Sequence, residues 1–558
     1  MRVSLKEWFK SGSPWIWLNA GAVAISIIMV IGLLIFIAMR GLGHFWPGQI
    51  LQATYTLPGQ SPVIIAGEIT DSELVPARQL EAMGIVLPEG ELEAKRILLK
   101  VGNRDIYGSD FRWVLEQNLS DVTYPKNMLA LERHEWGNFY GVLKSVKAAG
   151  EVVADVSVDE TKARELFAQF FAESAATHAQ LLKIQKHDIG SINYALERLR
   201  LKERGLELKG QKTPENMAPL LEERSKLDAQ YNALQARMSE LYADENKNSF
   251  VVVEAAGREH EYPFAKIVRY YRPNEMGLFA KIGHYFSKIG EFLFDDPREA
   301  NTEGGVFPAI YGTVLMVLLM SVMVTPFGVI AAVYLREYAK QGLLTQIIRV
   351  AVNNLAGVPS IVYGVFGLGF FVYFLGGSID ELLFPEALPS PTFGTGGLLW
   401  ASITLALLTL PVVIVATEEG LARIPRSIRE GSLALGATKF ETLMRVVLPM
   451  ASPAMMTGVI LAVARAAGEV APLMLVGVVK LAPSLPLDGN YPFLHLDQKF
   501  MHLGFHIYDV GFQSPNVEAA RPLVYATALL LVAVIALLNL SAIAIRNHLR
   551  EKYKALEM

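Results

Sequence analysis

The stretch Glu430-Gly431-Ser432-Leu433-Ala434-Leu435-Gly436-Ala437-Thr438-Lys439-Phe440-Glu441-Thr442-Leu443-Met444-Arg445-Val446-Val447-Leu448-Pro449 decides how the rest of the chain is read. It lies between two long apolar runs, about Leu398–Thr417 and Pro453–Val478. A helix carrying Glu430, Leu433 and Leu435 breaks at Gly436, and a second helix, Lys439–Val447, leads to Pro449. The pattern predicts a compact helix–turn–helix between two membrane crossings. Such a motif can sit in a surface groove of another protein and pass a rigid-body movement to the helices beside it.

Working outward, a bilayer-crossing helix needs roughly 20 mostly apolar residues, because no water in the hydrocarbon can satisfy its backbone. Six runs qualify: about Trp17–Met39, Phe307–Tyr334, Ala351–Leu375, Leu398–Thr417, Pro453–Val478 and Leu523–Ile545. The first follows Arg2, Lys6 and Lys10 but is too long for a cleaved signal segment, so it reads as a retained span anchored by Trp15 and Trp17. Basic residues set the orientation. Arg336, Lys340 and Arg349 fall in one loop, Arg423, Arg426, Arg429, Lys439 and Arg445 in a second, and Arg546, Arg550, Lys552 and Lys554 after the last run. The alternate loop Gly376–Gly397 has no Lys or Arg and carries Asp380, Glu381 and Glu386. Both termini are therefore expected in the cytoplasm, and residues 45–305 outside the membrane.

The chain divides accordingly into 1–44 (N-terminus and first span), 45–305 (extracytoplasmic insertion), 306–546 (transmembrane core, with the loop 418–449) and a cytoplasmic tail 547–558. The fold class expected is a membrane all-α, six-helix core plus a large extracytoplasmic α+β domain. Pro62–Ile69, Arg96–Val101, Ser249–Glu254 and Lys266–Tyr271 alternate like short strands. Leu182, Ile189, Ile192, Leu196 and Leu199, then Leu220, Leu227, Tyr231, Leu234, Met238 and Leu241, recur at coiled-coil spacing about a turn at Gly210, Thr213 and Pro214. These predict a helical hairpin over about 160–245, which either touches a partner or is a solvated structural element.

Composition excludes several classes. The 558 residues are 52% hydrophobic with a net charge of −4, so there is no basic surface for nucleic acid. With no cysteine, disulfides, thiolate metal sites and cysteine nucleophiles are absent. No Gly-x-x-x-x-Gly-Lys-Ser/Thr phosphate loop occurs, and no catalytic triad or carboxylate pair stands out. His495, His502 and His506 include a His-x-x-x-His spacing, but no third ligand is fixed and Leu503, Phe505 and Ile507 suggest a segment lying on the membrane. No metal site is assigned.

Inside the fifth run, Arg465 falls near the middle with Glu469 one turn on. A charge at that depth faces a partner or a wet cavity, and Gly458, Ala462, Ala466, Ala467 and Gly468 leave room around it. The pair either neutralises itself or lines a path for an oxyanion, which a guanidinium fork suits. Gly357 and Pro359 interrupt the third run and predict a hinge near mid-membrane, with the hydroxyls of Ser360 and Tyr363 beside it. Those hydroxyls either meet a substrate or repair the broken helical ladder.

The loop resembles the coupling motif of ABC importer permeases, E-A-A-x-x-x-G, nine residues, then I-x-L-P, with Gly431, Ser432 and Val446 as departures. Gly304–Ile310 and Asn354–Gly364 resemble phosphate-specific permeases, and Met456–Gly458 with Ala464–Leu473 resembles the A type in particular. The resemblance implies a type I importer core in a bacterial inner membrane, paired with a second permease subunit of similar fold. It further implies an ATPase dimer docked through Glu430, Gly436, Leu448 and Pro449, a periplasmic phosphate-binding protein, and a link to a sensor-kinase pathway. ATP would be used by the partner ATPase; no cofactor is expected on this chain, which would be a transport subunit and not an enzyme. The resemblance favours a place on the anion path for Arg465, Glu469, Ser360 and Tyr363. Many members of the resembled family carry a second arginine just before the Thr-Glu that ends the fourth run; Val415 and Ala416 precede Thr417 and Glu418 here. The rival reading is an ABC-type subunit relaying ATPase motion to an envelope partner or phosphate-signalling pathway without transport.

Overall fold

In a computed structural model describing residues 5–57, 61–82, 92–514 and 517–553, the first apolar run forms helix α1 (Ser13–Gly43), with Pro14 in its first turn. Arg2, Lys554 and the end of the 547–558 tail lie outside the described residues. Past α1 the apolar spacing changes from helical to alternating, and the described residues form two large antiparallel sheets and a short two-stranded one at Pro297–Arg298 and Glu303–Gly304.

The first sheet holds β1 (Ile50–Tyr55), β2 (Val63–Pro76), β3 (Glu93–Lys100), β4 (Phe111–Leu115) and β5 (Leu119–Thr123), in the order β4-β3-β2-β1-β5. The second holds β6 (Met128–Arg133), β7 (Asn138–Ala148), β8 (Glu151–Asp155), β9 (Asn248–Val253), β10 (Glu259–Pro263) and β11 (Ile267–Tyr271), in the order β10-β9-β7-β6-β11 with β8 on β7. Between β8 and β9 rises a helical arm. Helix α2 (Glu160–Lys183) passes through a wide turn at Ile184–Ile189 into α3 (Gly190–Leu208), and α4 (Pro214–Glu245) returns. Gly210 takes a φ of +66° at the reversal, and the Thr213 side chain accepts from the Asn216 amide. Phe167 of α2 roots the arm in the second sheet, edge-on to Phe250 at 5.0 Å and to Tyr270 at 4.9 Å.

Helix α5 (Leu278–Phe294) joins this region to the next apolar helix; sequence reasoning had missed it. There follow α6 (Phe307–Val333, continuing to Tyr338), α7 (Leu343–Leu355), α8 (Ser360–Leu383), α9 (Leu398–Arg423), α10 (Arg426–Ala434), α11 (Lys439–Ala467), α12 (Ala471–Val476), α13 (Leu503–Tyr508) and α14 (Val517–Tyr553). Among the described residues, six helices are long and apolar enough to cross a membrane: α1, α6, α8, α9, α11 and, from Ala520, α14. Helix α9 is the most enclosed, and small residues let its neighbours in. A Cβ on Gly328 would stand 2.6 Å from Val413, one on Gly458 2.7 Å from Ala416, and one on Gly420 2.5 Å from Ala454. Helix α1 lies at the edge, packing along α14 where Gly41 meets the Ala526 backbone.

Two expected spans shift along the chain. The third begins at Ser360 rather than Ala351: the amides of Gly357 and Val358 close turns on Asn354 and Leu355, and Pro359 stands as the cap residue of α8. The expected mid-membrane kink is therefore a break between two helices. The fifth begins at Lys439 and stops at Ala467, where the Gly468 amide bonds back to the carbonyls of Arg465 and Ala466.

Candidate functional site

Because α11 stops at Ala467, Arg465 sits in its last turn and Glu469 just beyond its end, a correction to the mid-span position read from the sequence. Arg465 Nε stands 3.6 Å from Glu469 Oε1, with a third of the arginine side chain exposed. Tyr363 of α8 is within electrostatic range of Arg465. The link is structural: a Cβ on Gly364 would lie 2.6 Å from the Pro472 backbone, so α8 and α12 touch beside the arginine. The buried Tyr363 hydroxyl donates to the Leu355 carbonyl at 2.6 Å, tying α8 to α7 across the Pro359 break. Ser360 is half-buried at the first turn of α8. The fold thus gathers Arg465, Glu469 and Tyr363 about the junction of α8, α11 and α12, with Gly357, Pro359 and Ser360 at the neighbouring break. An arginine there offers N–H donors to an oxyanion while Glu469 holds its charge in check.

The second candidate surface is the loop before α11. Helix α10 ends at Ala434, and Gly436 adopts a φ of +90°, which a side chain there would strain. Thr438 and Glu441 then cap α11 reciprocally. The helix does not stop at Pro449. A π-type widening at Leu443–Val447 ends two residues before Pro449, and the helix runs on from Leu448, so the expected second short helix is the first two turns of a span. Glu430 is exposed, Leu448 and Pro449 are half-buried, and Leu435 is 91% exposed with Leu433, Phe440 and Met444 also open. Buried Leu421, Ile424, Leu443, Val447 and Ala451 fix the tip to the bundle from below.

Sequence reasoning missed the ionic frame behind this tip. Arg429 donates to Glu337 at 2.9 Å and to the carbonyls of Ile424 and Leu421; Arg349 pairs with Glu418 at 3.2 Å; Lys439 covers the Tyr338 ring at 4.4 Å. The basic residues used for orientation were the available signal. His502 and His506 are buried and His495 pairs with Asp488, and among the described residues no three His, Asp or Glu side chains are placed to hold a metal.

Residues 324–555 match the family described as the binding-protein-dependent transport system inner membrane component. The chain is 36% identical over 247 residues to "Phosphate transport system permease protein PstA 1" of Mycobacterium tuberculosis (strain CDC 1551 / Oshkosh), covering 44% of this chain and 71% of that protein. It is 33% identical over 195 residues to "Probable ABC transporter permease protein YqgH" of Bacillus subtilis (strain 168), covering 35% of this chain and 59% of that one. Among solved structures, it is similar to a chain of the inward-facing MetNI methionine ABC transporter, at 18% identity, 43% of this chain, 94% of that chain and a TM-score of 0.33. The family match and the 36% identity make the core that of a membrane permease of binding-protein-dependent transport systems. Within that class, the chain belongs to the family of PstA phosphate transport system permease proteins. The family match begins at 324 and so leaves out both sheets, the arm and α5.

Proposed function

We propose that this chain is the transmembrane permease subunit of an ATP-driven importer of inorganic phosphate, with ATP hydrolysed on a separate polypeptide. The observation that carries the reading is the 36% identity over 247 residues to a phosphate permease. Six spans with both termini inside would put the two sheets and the arm outside, and the basic loops at Arg336–Arg349 and Arg423–Arg445 support that orientation. The exposed Leu433, Leu435 and Phe440 form a knob for the groove of an ATPase, two copies of which would drive this chain and a second permease of similar fold. Glu430, Gly436, Leu448 and Pro449 shape that knob, while Gly357 and Pro359 provide the articulation between α7 and α8. A soluble phosphate-binding protein would deliver the anion outside, and Arg465, with Glu469, Tyr363 and Ser360 around it, would meet it in the membrane.

ATP-dependent uptake of labelled phosphate in cells lacking this chain, with and without its restoration, tests the reading. Restored uptake that resists excess sulfate is expected. Uptake independent of the chain would refute the substrate and favour the relay without transport.

A further inference from the structure

Helix α5 has two faces with different fates. Its polar side is riveted to the second sheet: Lys288 Nζ stands 2.9 Å from Glu132 and from Glu291, Arg269 is 3.1 Å from Glu291, and the His284 ring lies 4.3 Å from that of Tyr271. Near its C-terminal end Phe292 is buried with Phe45, Val306, Ala309, Leu523 and Ala526, which are the outer ends of α1, α6 and α14. The helix is thereby held at the level where three spans leave the bundle.

The remaining side is apolar and uncovered. Leu278, Phe279, Ile282 and Phe286 fall on one arc at helical spacing, and all are exposed, Phe279 by 88%. A solvated helix does not keep four large hydrophobic side chains in water on one stripe. We propose that α5 lies in the interfacial layer of the outer leaflet, with Phe279 and Phe286 inserted among lipids, so that the sheets and arm rest on the membrane surface as well as on the bundle.

Two observations select lipid over a protein cover. Trp46, just past α1, is exposed and packs against the half-buried Tyr285 of α5 at 5.9 Å, and a tryptophan beside a tyrosine at a span's end is the chemistry of the headgroup belt. The neighbouring α1 is the edge helix, and its own apolar side chains are exposed along its length, so the α5 stripe continues a lipid-facing surface. A helix of this kind sinks roughly 5–10 Å into the headgroup–acyl boundary. The proposal rests on the outward placement of residues 45–305 given above.

The absence of cysteine makes the test direct. Single-cysteine chains Phe279→Cys, Phe286→Cys and, on the arm, Leu208→Cys would each be assembled with their transporter. All three would be labelled with an environment-sensitive fluorophore in vesicles carrying nitroxide lipids. Shallow nitroxides are expected to quench most of the fluorescence at positions 279 and 286, mid-chain nitroxides less, and neither to touch a label at 208. A water-exposed, unquenched label at 279 and 286 overturns the proposal, as does one shielded from both water and lipid, which would mean a protein cover. A membrane-impermeant thiol reagent added to intact cells checks the side independently. If Leu208→Cys does not react, the topology fails and the proposal with it; if it reacts while 279 and 286 stay unquenched, the proposal alone fails.

Discussion

The Lys288 ammonium stands 2.9 Å from a Glu132 carboxylate oxygen, an ion pair formed between α5 and β6 across 156 residues of chain. Burial alone would push Glu132 up, but Lys288, with Arg269 and Arg298 behind it, outweighs burial and holds the carboxyl at about 2. A carboxyl depressed in the fold stabilises it above the unfolded pKa, and that stability drains away as pH falls from the usual glutamate range toward 2.

Lys288→Met should therefore destabilise the region by about 3 kcal/mol, because Glu132 and Glu291 would be left buried with less positive charge. Adding Glu132→Gln should recover part of the loss. Thermal unfolding at neutral pH checks both, and an unchanged single variant would refute the account.

Arg465→Gln should lower phosphate uptake by about tenfold or more, since a hydrogen bond to a charged group contributes about 1.5–3 kcal/mol. Chain abundance and ATPase assembly should hold. Uptake at the native rate would remove Arg465 from the path and leave it as the partner of Glu469.

Leu435→Asp should leave the fold intact, because the side chain is almost wholly exposed, yet abolish ATPase association in pull-downs of the assembled transporter. Retained ATPase with normal stoichiometry would count against the tip as the docking knob. Gly436→Val should cost about 1 kcal/mol in stability from the backbone alone.

Burial holds His502 down at about 4, and its Nδ1 accepts the Gly504 amide at 3.1 Å. A histidine lowered in the fold contributes stability above its unfolded pKa, which is lost as pH falls from about 6.5 to about 4. His502→Asn keeps an acceptor but does not titrate. It should flatten the decline of Tm across that window, and an unaltered pH slope would refute the assignment.

How far the sequence could be read follows from what each feature depends on. Apolar run length announced the membrane helices, and Gly210-to-Pro214 announced the arm's reversal, since both are local. Where a span begins is less local. Pro359 can kink a helix or precede one, and only the turns closed by Gly357 and Val358 decide it. Gly468 was equally ambiguous, so Arg465 was placed several turns too deep into its helix. Helix α5 did carry a signal, in Leu278, Ile282, Phe286, Ile289 and Leu293, but Gly283 and Gly290 dilute it. The Arg349–Glu418 and Arg429–Glu337 pairs join distant segments that no spacing rule connects.

The arm returns to the bundle. Arg198 lies over the Tyr491 ring at 5.5 Å, the Tyr194 hydroxyl donates to the Tyr491 carbonyl, and Lys186 pairs with Asp296. Because arm and loop share one polypeptide, this contact is made at a local concentration that a diffusing protein cannot match. A soluble partner that used the 486–495 loop would first have to displace this tethered contact.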